Sequence, residues 1–350
     1  MSGLPLHYGE LVRELQRIAT ERLQPLNGTF ELTRRCNLGC RMCYVAMQAS
    51  DAEEADRELS AASWLDIARQ AKEEGTLFLL LTGGEIFLRP DFFDIYEPLT
   101  TMGFVISLYT NATLIDAIVA KRLAGAPPHK IEVSLYGATA ETYEGITGVR
   151  GSFERCRKGV EALLEHGVGL SLKVTITRDN LPELPLMREM ADQWGLALSA
   201  SWMLTGRTDG GLSDVESCRL TPEEAIRLES FDSAMLDEWR KGIKMDVPEN
   251  FYCKAGKSAF VIDAGGAMQV CLDLPQPGIA VRVHGFGSAW AGVIDYVRRA
   301  PGLSAECLNC DAVHYCAICP AWSSLENGEL SGSVPYLCSI AKERKMRYGS

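Results

Sequence analysis

Cys36-Asn37-Leu38-Gly39-Cys40-Arg41-Met42-Cys43 places three thiols in one short run, spaced so that all three can converge from a single loop. Soft thiolate ligands select zinc, copper(I) or iron–sulfur. A structural zinc wants a fourth protein ligand, and no His or Cys follows nearby. A 4Fe–4S cube normally takes four cysteines, so three would leave one iron open to a small molecule. A second set, Cys253, Cys271, Cys307, Cys310, Cys316, Cys319 and Cys338, fills the C-terminal region. Its two Cys-X2-Cys pairs would suggest zinc on their own. Seven ligands, however, are too many for one zinc and one short of two complete four-cysteine sites.

The chain has 350 residues, 47% of them apolar, and a net charge of −11. That composition describes an ordinary globular protein and argues against a nucleic-acid partner held by phosphate contacts. No apolar run approaches the ~18 residues of a membrane span. Met1 to Leu23 reads as an amphipathic helix without the apolar stretch of a secretory signal. Twelve cysteines in such a chain are expected to be reduced, cytoplasmic and metal-binding rather than disulfide-bonded.

The elements that must position these thiols alternate. Strand patterns at Thr29–Thr33, Thr76–Thr82, Phe104–Tyr109, Ile131–Tyr136, Val168–Thr177 and Leu196–Trp202 are separated by helical patterns at Ser60–Gly75, Asp91–Met102, Leu114–Ala124, Ser152–His166 and Leu181–Trp194. Such alternation is the signature of parallel βα units. Six units predict an α/β fold, either an open doubly wound sheet or a partial barrel, with ligands at the C-terminal ends of the strands. Thr205–Ser217 reads as a linker, followed by a capping box at Thr221 and Glu224. The expected organisation is an N-terminal helical extension (1–27), a βα domain (28–203), a linker with a bridging helix (204–245) and a cysteine-rich domain with few long periodic segments (246–350).

Cys-X3-Cys-X2-Cys after the first strand of a six-unit βα domain resembles the radical S-adenosylmethionine (SAM) superfamily. The resemblance implies a partial (β/α)6 TIM-like barrel. It also implies a cluster held by Cys36, Cys40 and Cys43, to whose open iron SAM binds before reductive cleavage to a 5′-deoxyadenosyl radical. Thr82-Gly83-Gly84-Glu85 resembles the family motif that contacts the SAM amino group. Tyr44, Thr110, Asn111, Ser134 and Arg150 fall at or near positions of other SAM contacts. The C-terminal cysteines resemble the SPASM domain with its two auxiliary 4Fe–4S clusters, three clusters in all. Carried over, Cys253, Cys271 and Cys319 would hold the first, and Cys307, Cys310, Cys316 and Cys338 the second.

Cys156 falls on the apolar stripe of a helix and reads as core. Cys218 could complete the first auxiliary cluster, donate a hydrogen atom as a catalytic residue, or do nothing. Asp273 stands one residue beyond the position where sulfatase-maturing relatives carry an Asp, which argues against that activity. The expected function is radical modification of a peptide or protein: a cross-link, thioether, oxidation or epimerisation. A separate peptide-recognition chain and a flavodoxin or ferredoxin as electron donor are the partners this implies. The alternative is a radical oxidoreductase acting on a small metabolite or a tetrapyrrole side chain. A non-enzyme alternative is a zinc-stabilised binding module.

Overall fold

The computed structural model describes residues 8–45, 47–208, 214–229, 251 and 253–349. Six parallel strands follow the alternation: β1 (Asn27–Thr33), β2 (Phe78–Gly83), β3 (Val105–Thr110), β4 (Lys130–Ser134), β5 (Leu170–Thr175) and β6 (Leu198–Ser201). They lie side by side in chain order. The fold is α/β, and the six units are those the sequence predicts.

The alternation of side chains along β3, β4 and β5 explains how this sheet makes room for a site. Ile106, Leu108, Ile131, Val133, Leu172 and Val174 are buried in the main core. Their neighbours Tyr109, Glu132, Ser134, Lys173 and Thr175 are only partly buried and point to the opposite face. A parallel sheet is usually apolar on both faces; here one face is polar and available to a ligand.

At the end of β2 two glycines are required by contact. Gly83 has φ +148°, and a Cβ there would lie 2.1 Å from the Thr33 carbonyl oxygen; one on Gly84 would lie 2.3 Å from that of Arg35. This close approach lets Gly84 and Glu85 donate backbone N–H groups to the Thr33 and Arg35 carbonyls at 2.8 and 2.9 Å. The bend it creates aims the following residues.

The C-terminal region departs from expectation in two ways. It continues the same sheet: β7 (Ala259–Ile262) pairs parallel with β1, and β8 (Ala267–Cys271) and β9 (Leu274–Ala280) follow antiparallel. The main core accordingly draws on both expected domains, from Phe30 and Leu81 to Phe260, Trp290 and Ile340. It also contains long helices, Phe286–Arg299 and Pro335–Tyr348, where few periodic segments were expected. A further helix, Ala140–Thr147, was not foreseen, its Thr- and Gly-containing sequence having low helix propensity. It is set by Thr139, whose hydroxyl accepts the Thr142 N–H at 3.3 Å. The capping box is present, with Thr221 N and Glu224 N each bonded to the other side chain. Residues 209–213 of the expected linker and 230–245 of the expected bridging segment lie outside the described residues.

Candidate functional site

A cavity of about 360 Å³ opens at the C-terminal ends of the parallel strands. Cys36, Cys40 and Cys43 line it together with Tyr44, Gly83, Gly84, Thr110, Asn111 and Ser134. Nine residues singled out in the sequence, from six separate segments, therefore meet on one surface.

The cysteine loop is pinned by its backbone: Gly39 N–H donates to the Thr147 carbonyl at 2.8 Å and Cys43 N–H to that of Cys40 at 3.0 Å. Cys36 Sγ accepts the Leu38 N–H at 3.4 Å and the Asn111 amide at 3.8 Å. Burial pushes the Cys36 thiol up to about 12, with the nearby charges of Glu85 and Cys43 adding to it and the two N–H donors opposing. Burial likewise pushes Cys40 well above the ordinary thiol range, reinforced by Cys43 and Cys36. Clustered buried thiolates need a cation, and a metal-bound thiol is deprotonated outright; this donor set fits a thiolate-ligated cluster. Among the described residues no three of His, Cys, Asp and Glu converge as a single metal ion requires. The thiols instead border one wall of the cavity.

The seven C-terminal thiols fall into two neighbourhoods. Cys271, pushed up to about 12 first by burial, also feels the charges of Cys319 and Cys253. Cys316, raised to about 12 by burial, feels those of Cys338, Cys307 and Cys310. These are the two sets the resemblance implies. Cys319 also lines a small cleft with Cys307, Cys316 and Cys338, so it stands between the two.

Three expected site residues are placed otherwise. Glu85 is buried, 1% exposed, and does not line the cavity. Its carboxylate accepts from Thr110 Oγ1 at 2.8 Å, Asn111 N at 2.7 Å and Phe87 N at 3.2 Å. It ties the end of β2 to the end of β3 and leaves no oxygen turned to a SAM ammonium. Arg150 is exposed, in the turn before the helix Ser152–Glu165, and is also absent from the cavity wall. Cys218, 2% exposed, packs in a small apolar cluster with Met42, Ile146, Leu204 and Val215. It faces neither the cavity nor the C-terminal thiols, so the catalytic reading of Cys218 gives way to a packing one. Cys218→Ala is expected to lower stability by about 1 kcal/mol and to leave 5′-deoxyadenosine release within twofold of the parent, read by thermal unfolding and chromatography. Cys156, by contrast, is buried in the core as its helical spacing predicts.

Two charged residues lining the cavity were not read as site residues, Lys173 and Asp273. The signal for Lys173 was a lysine at an inward position of an otherwise uncharged strand, Leu170–Thr175. Beside the site, Glu31 on β1 is 5% exposed, and burial raises its carboxyl to about 7, against the opposing charge of Arg34. The folded protein therefore keeps a proton between its ordinary 4.5 and about 7 that the unfolded chain releases. Stability from this group is present at low pH and falls as pH rises through that window, by at most about 1.4 kcal/mol per pH unit. Unfolding midpoints at pH 5 and pH 7.5 are expected to differ less in Glu31→Gln than in the parent. Glu85, also raised to about 7 by burial, contributes a remaining slope of the same sign.

A run of parallel strands with a cysteine triad beyond the first and a glycine pair beyond the second defines a class of cofactor-dependent barrel proteins. Residues 30–189 match the Radical SAM superfamily, and the chain belongs to that superfamily. An AdoMet-dependent heme synthase of Methanosarcina barkeri is 27% identical over 332 residues, 88% of this chain and 94% of that protein. The mycofactocin maturase MftC of Mycobacterium ulcerans is 27% identical over 313 residues, 83% and 81%. Streptococcus suis SuiB, solved with its precursor peptide SuiA, superposes with a TM-score of 0.73 at 16% identity, covering 97% of this chain and 84% of that one; this likeness is one of fold. The protein is a radical SAM enzyme, with SAM and a SAM-binding 4Fe–4S cluster as the cofactors its family implies. No helix among the described residues is long and apolar enough to cross a membrane.

Proposed function

We propose that this enzyme installs a radical-derived modification on a peptide. The observation that carries the reading is one cavity bordered on one side by Cys36, Cys40 and Cys43 and on the other by Leu272, Asp273 and Trp322 of the cysteine-rich region. When bound, the cluster and SAM supply a 5′-deoxyadenosyl radical, formed with methionine by one-electron cleavage, that removes a hydrogen atom from a substrate C–H. The chain's own residues hold and orient. Cys36, Cys40 and Cys43 ligate, Asn111 donates to the Cys36 sulfur, and Gly83, Gly84, Tyr44, Thr110 and Ser134 shape the bed in which SAM lies.

Cys253, Cys271 and Cys319, and separately Cys307, Cys310, Cys316 and Cys338, would hold two auxiliary clusters. They lie close enough to the cavity to take the second electron that an oxidative modification must lose. A flavodoxin or ferredoxin would supply the first electron, and a separate chain could present the peptide. Relatives named as peptide maturases, among them MftC and the PqqA peptide cyclase of Rhizobium meliloti, support the substrate class.

The heme synthase relative, matched over 94% of its length, favours a second reading, a tetrapyrrole side chain. Cluster-loaded enzyme with SAM and dithionite should be offered the peptide of any short reading frame beside the gene and, separately, an iron coproporphyrin. Mass change of the peptide alone supports the proposal, and loss of carboxyl carbon from the porphyrin alone replaces it.

A further inference from the structure

Among the described residues lining the cavity, Lys173 is the one lysine or arginine and Asp273 the one aspartate or glutamate. Asp273 is engaged: its Oδ1 accepts the Thr205 hydroxyl at 2.9 Å. Lys173 is not satisfied in this way. Its Nζ lies 3.0 Å from the centroid of the Tyr109 ring, a cation–π seat without an anion. The nearest acidic side chain on its own sheet face is Glu132, and that carboxylate is taken by Lys130. Burial lowers the Lys173 ammonium to about 7, Glu132 only partly opposing it and Lys130 adding to it.

A lysine held half out of water, with an aromatic ring on one side and an open cavity on the other, lacks the counter-ion that would offset its desolvation. SAM carries net positive charge as a sulfonium zwitterion and is a poor counter-ion. A second molecule bringing negative charge into the same cavity is a good one.

We propose that Lys173 is a carboxylate receptor, whose ammonium, seated on the Tyr109 ring, holds a carboxylate of the molecule whose C–H bond is attacked. The assignment goes beyond the peptide reading, because an acidic side chain, a peptide C-terminus and a propionate all present the same group. It makes the cavity selective for an acidic substrate, with Lys173 setting where along that substrate the C–H under attack must lie.

The test uses cluster-loaded protein under anaerobic conditions and reads one residue. Lys173 is labelled with trinitrobenzenesulfonate at pH 7.5 and quantified by peptide mass spectrometry. Lys173→Met, checked by circular dichroism, identifies the signal by removing it. N-acetylglutamate amide and its neutral isostere N-acetylglutamine amide are the probes, with SAM and decarboxylated SAM as a second pair. The expected result is labelling slowed at least tenfold by the glutamate probe and unchanged by the glutamine probe. Equal effects of the two, including none, overturn the proposal. Shielding by SAM but not by decarboxylated SAM also overturns it, because Lys173 would then serve the cofactor.

Discussion

Replacing Cys36, Cys40 and Cys43 together by Ala is expected to abolish 5′-deoxyadenosine release while leaving roughly eight of about twelve irons per chain. The two halves of this outcome have separate physical causes. Release fails because the cavity loses every thiol of its first wall, and Glu85, the carboxylate behind it, is committed to Thr110, Asn111 and Phe87. The remaining iron survives because the C-terminal thiols are gathered by other elements. Cys271 ends β8, Cys319 precedes the helix Pro320–Asn327, and Cys338 lies on Pro335–Tyr348. The loop itself keeps its path, since the contacts of Gly39 and Cys43 that pin it run through the backbone. Iron analysis and anaerobic chromatography of the product check the two halves independently. Undiminished release would move the radical chemistry away from this loop. Loss of all iron with an unchanged unfolding midpoint would show that the C-terminal thiols do not bind clusters without it.

What could be read from the chain was what local pattern and spacing encode. The six strands lie within a few residues of their expected places because apolar and β-branched runs are local signals, and the thiol triad was legible because its three members share one loop. Side-chain direction was harder. The bend at Gly83 and Gly84 turns Glu85 back toward the end of β3, where a hydroxyl and backbone N–H groups need an acceptor; the motif alone suggested a carboxylate facing the ligand. Arg150 was placed in a strand-end loop because the helix Ala140–Thr147 was not foreseen, and that helix carries the arginine to an exposed turn. Cys218 followed the same logic, since only the short helix Val215–Cys218 shows that its thiol enters an apolar cluster with Met42 and Leu204. Non-local pairing was not legible at all: nothing within Ala259–Ile262 announces that it will add to β1, some 230 residues earlier.

The C-terminal region should also be sensitive to a single charge removed far from the cavity. Arg344 and Glu229 are buried, 2% and 5% exposed. Arg344 Nε donates to Glu229 Oε2 at 2.9 Å, a second N–H reaches Oε1, and Nη1 donates to the Tyr315 carbonyl at 2.9 Å. Trp202 Nε1 donates to the same carboxylate at 2.8 Å. The pair thus joins the residue after β6, the helix Pro222–Glu229, and the helix Pro335–Tyr348 that carries Cys338. Removing one member of a buried pair leaves the other charge unpaired, at a cost of about 3–5 kcal/mol. Arg344→Met is therefore expected to lower stability by that amount. Arg344→Met with Glu229→Gln should be milder than the sum of the single changes, a coupling that a double-mutant cycle on unfolding midpoints measures. Arg344 also opposes the upward push of burial on the Cys316 thiol and binds the carbonyl next to it. Its loss acts on thiolate and helix together, so the single variant should also lose about four irons. The cysteine loop at residues 36–43 should still support 5′-deoxyadenosine release, because its backbone anchors lie in the barrel and not on this helix.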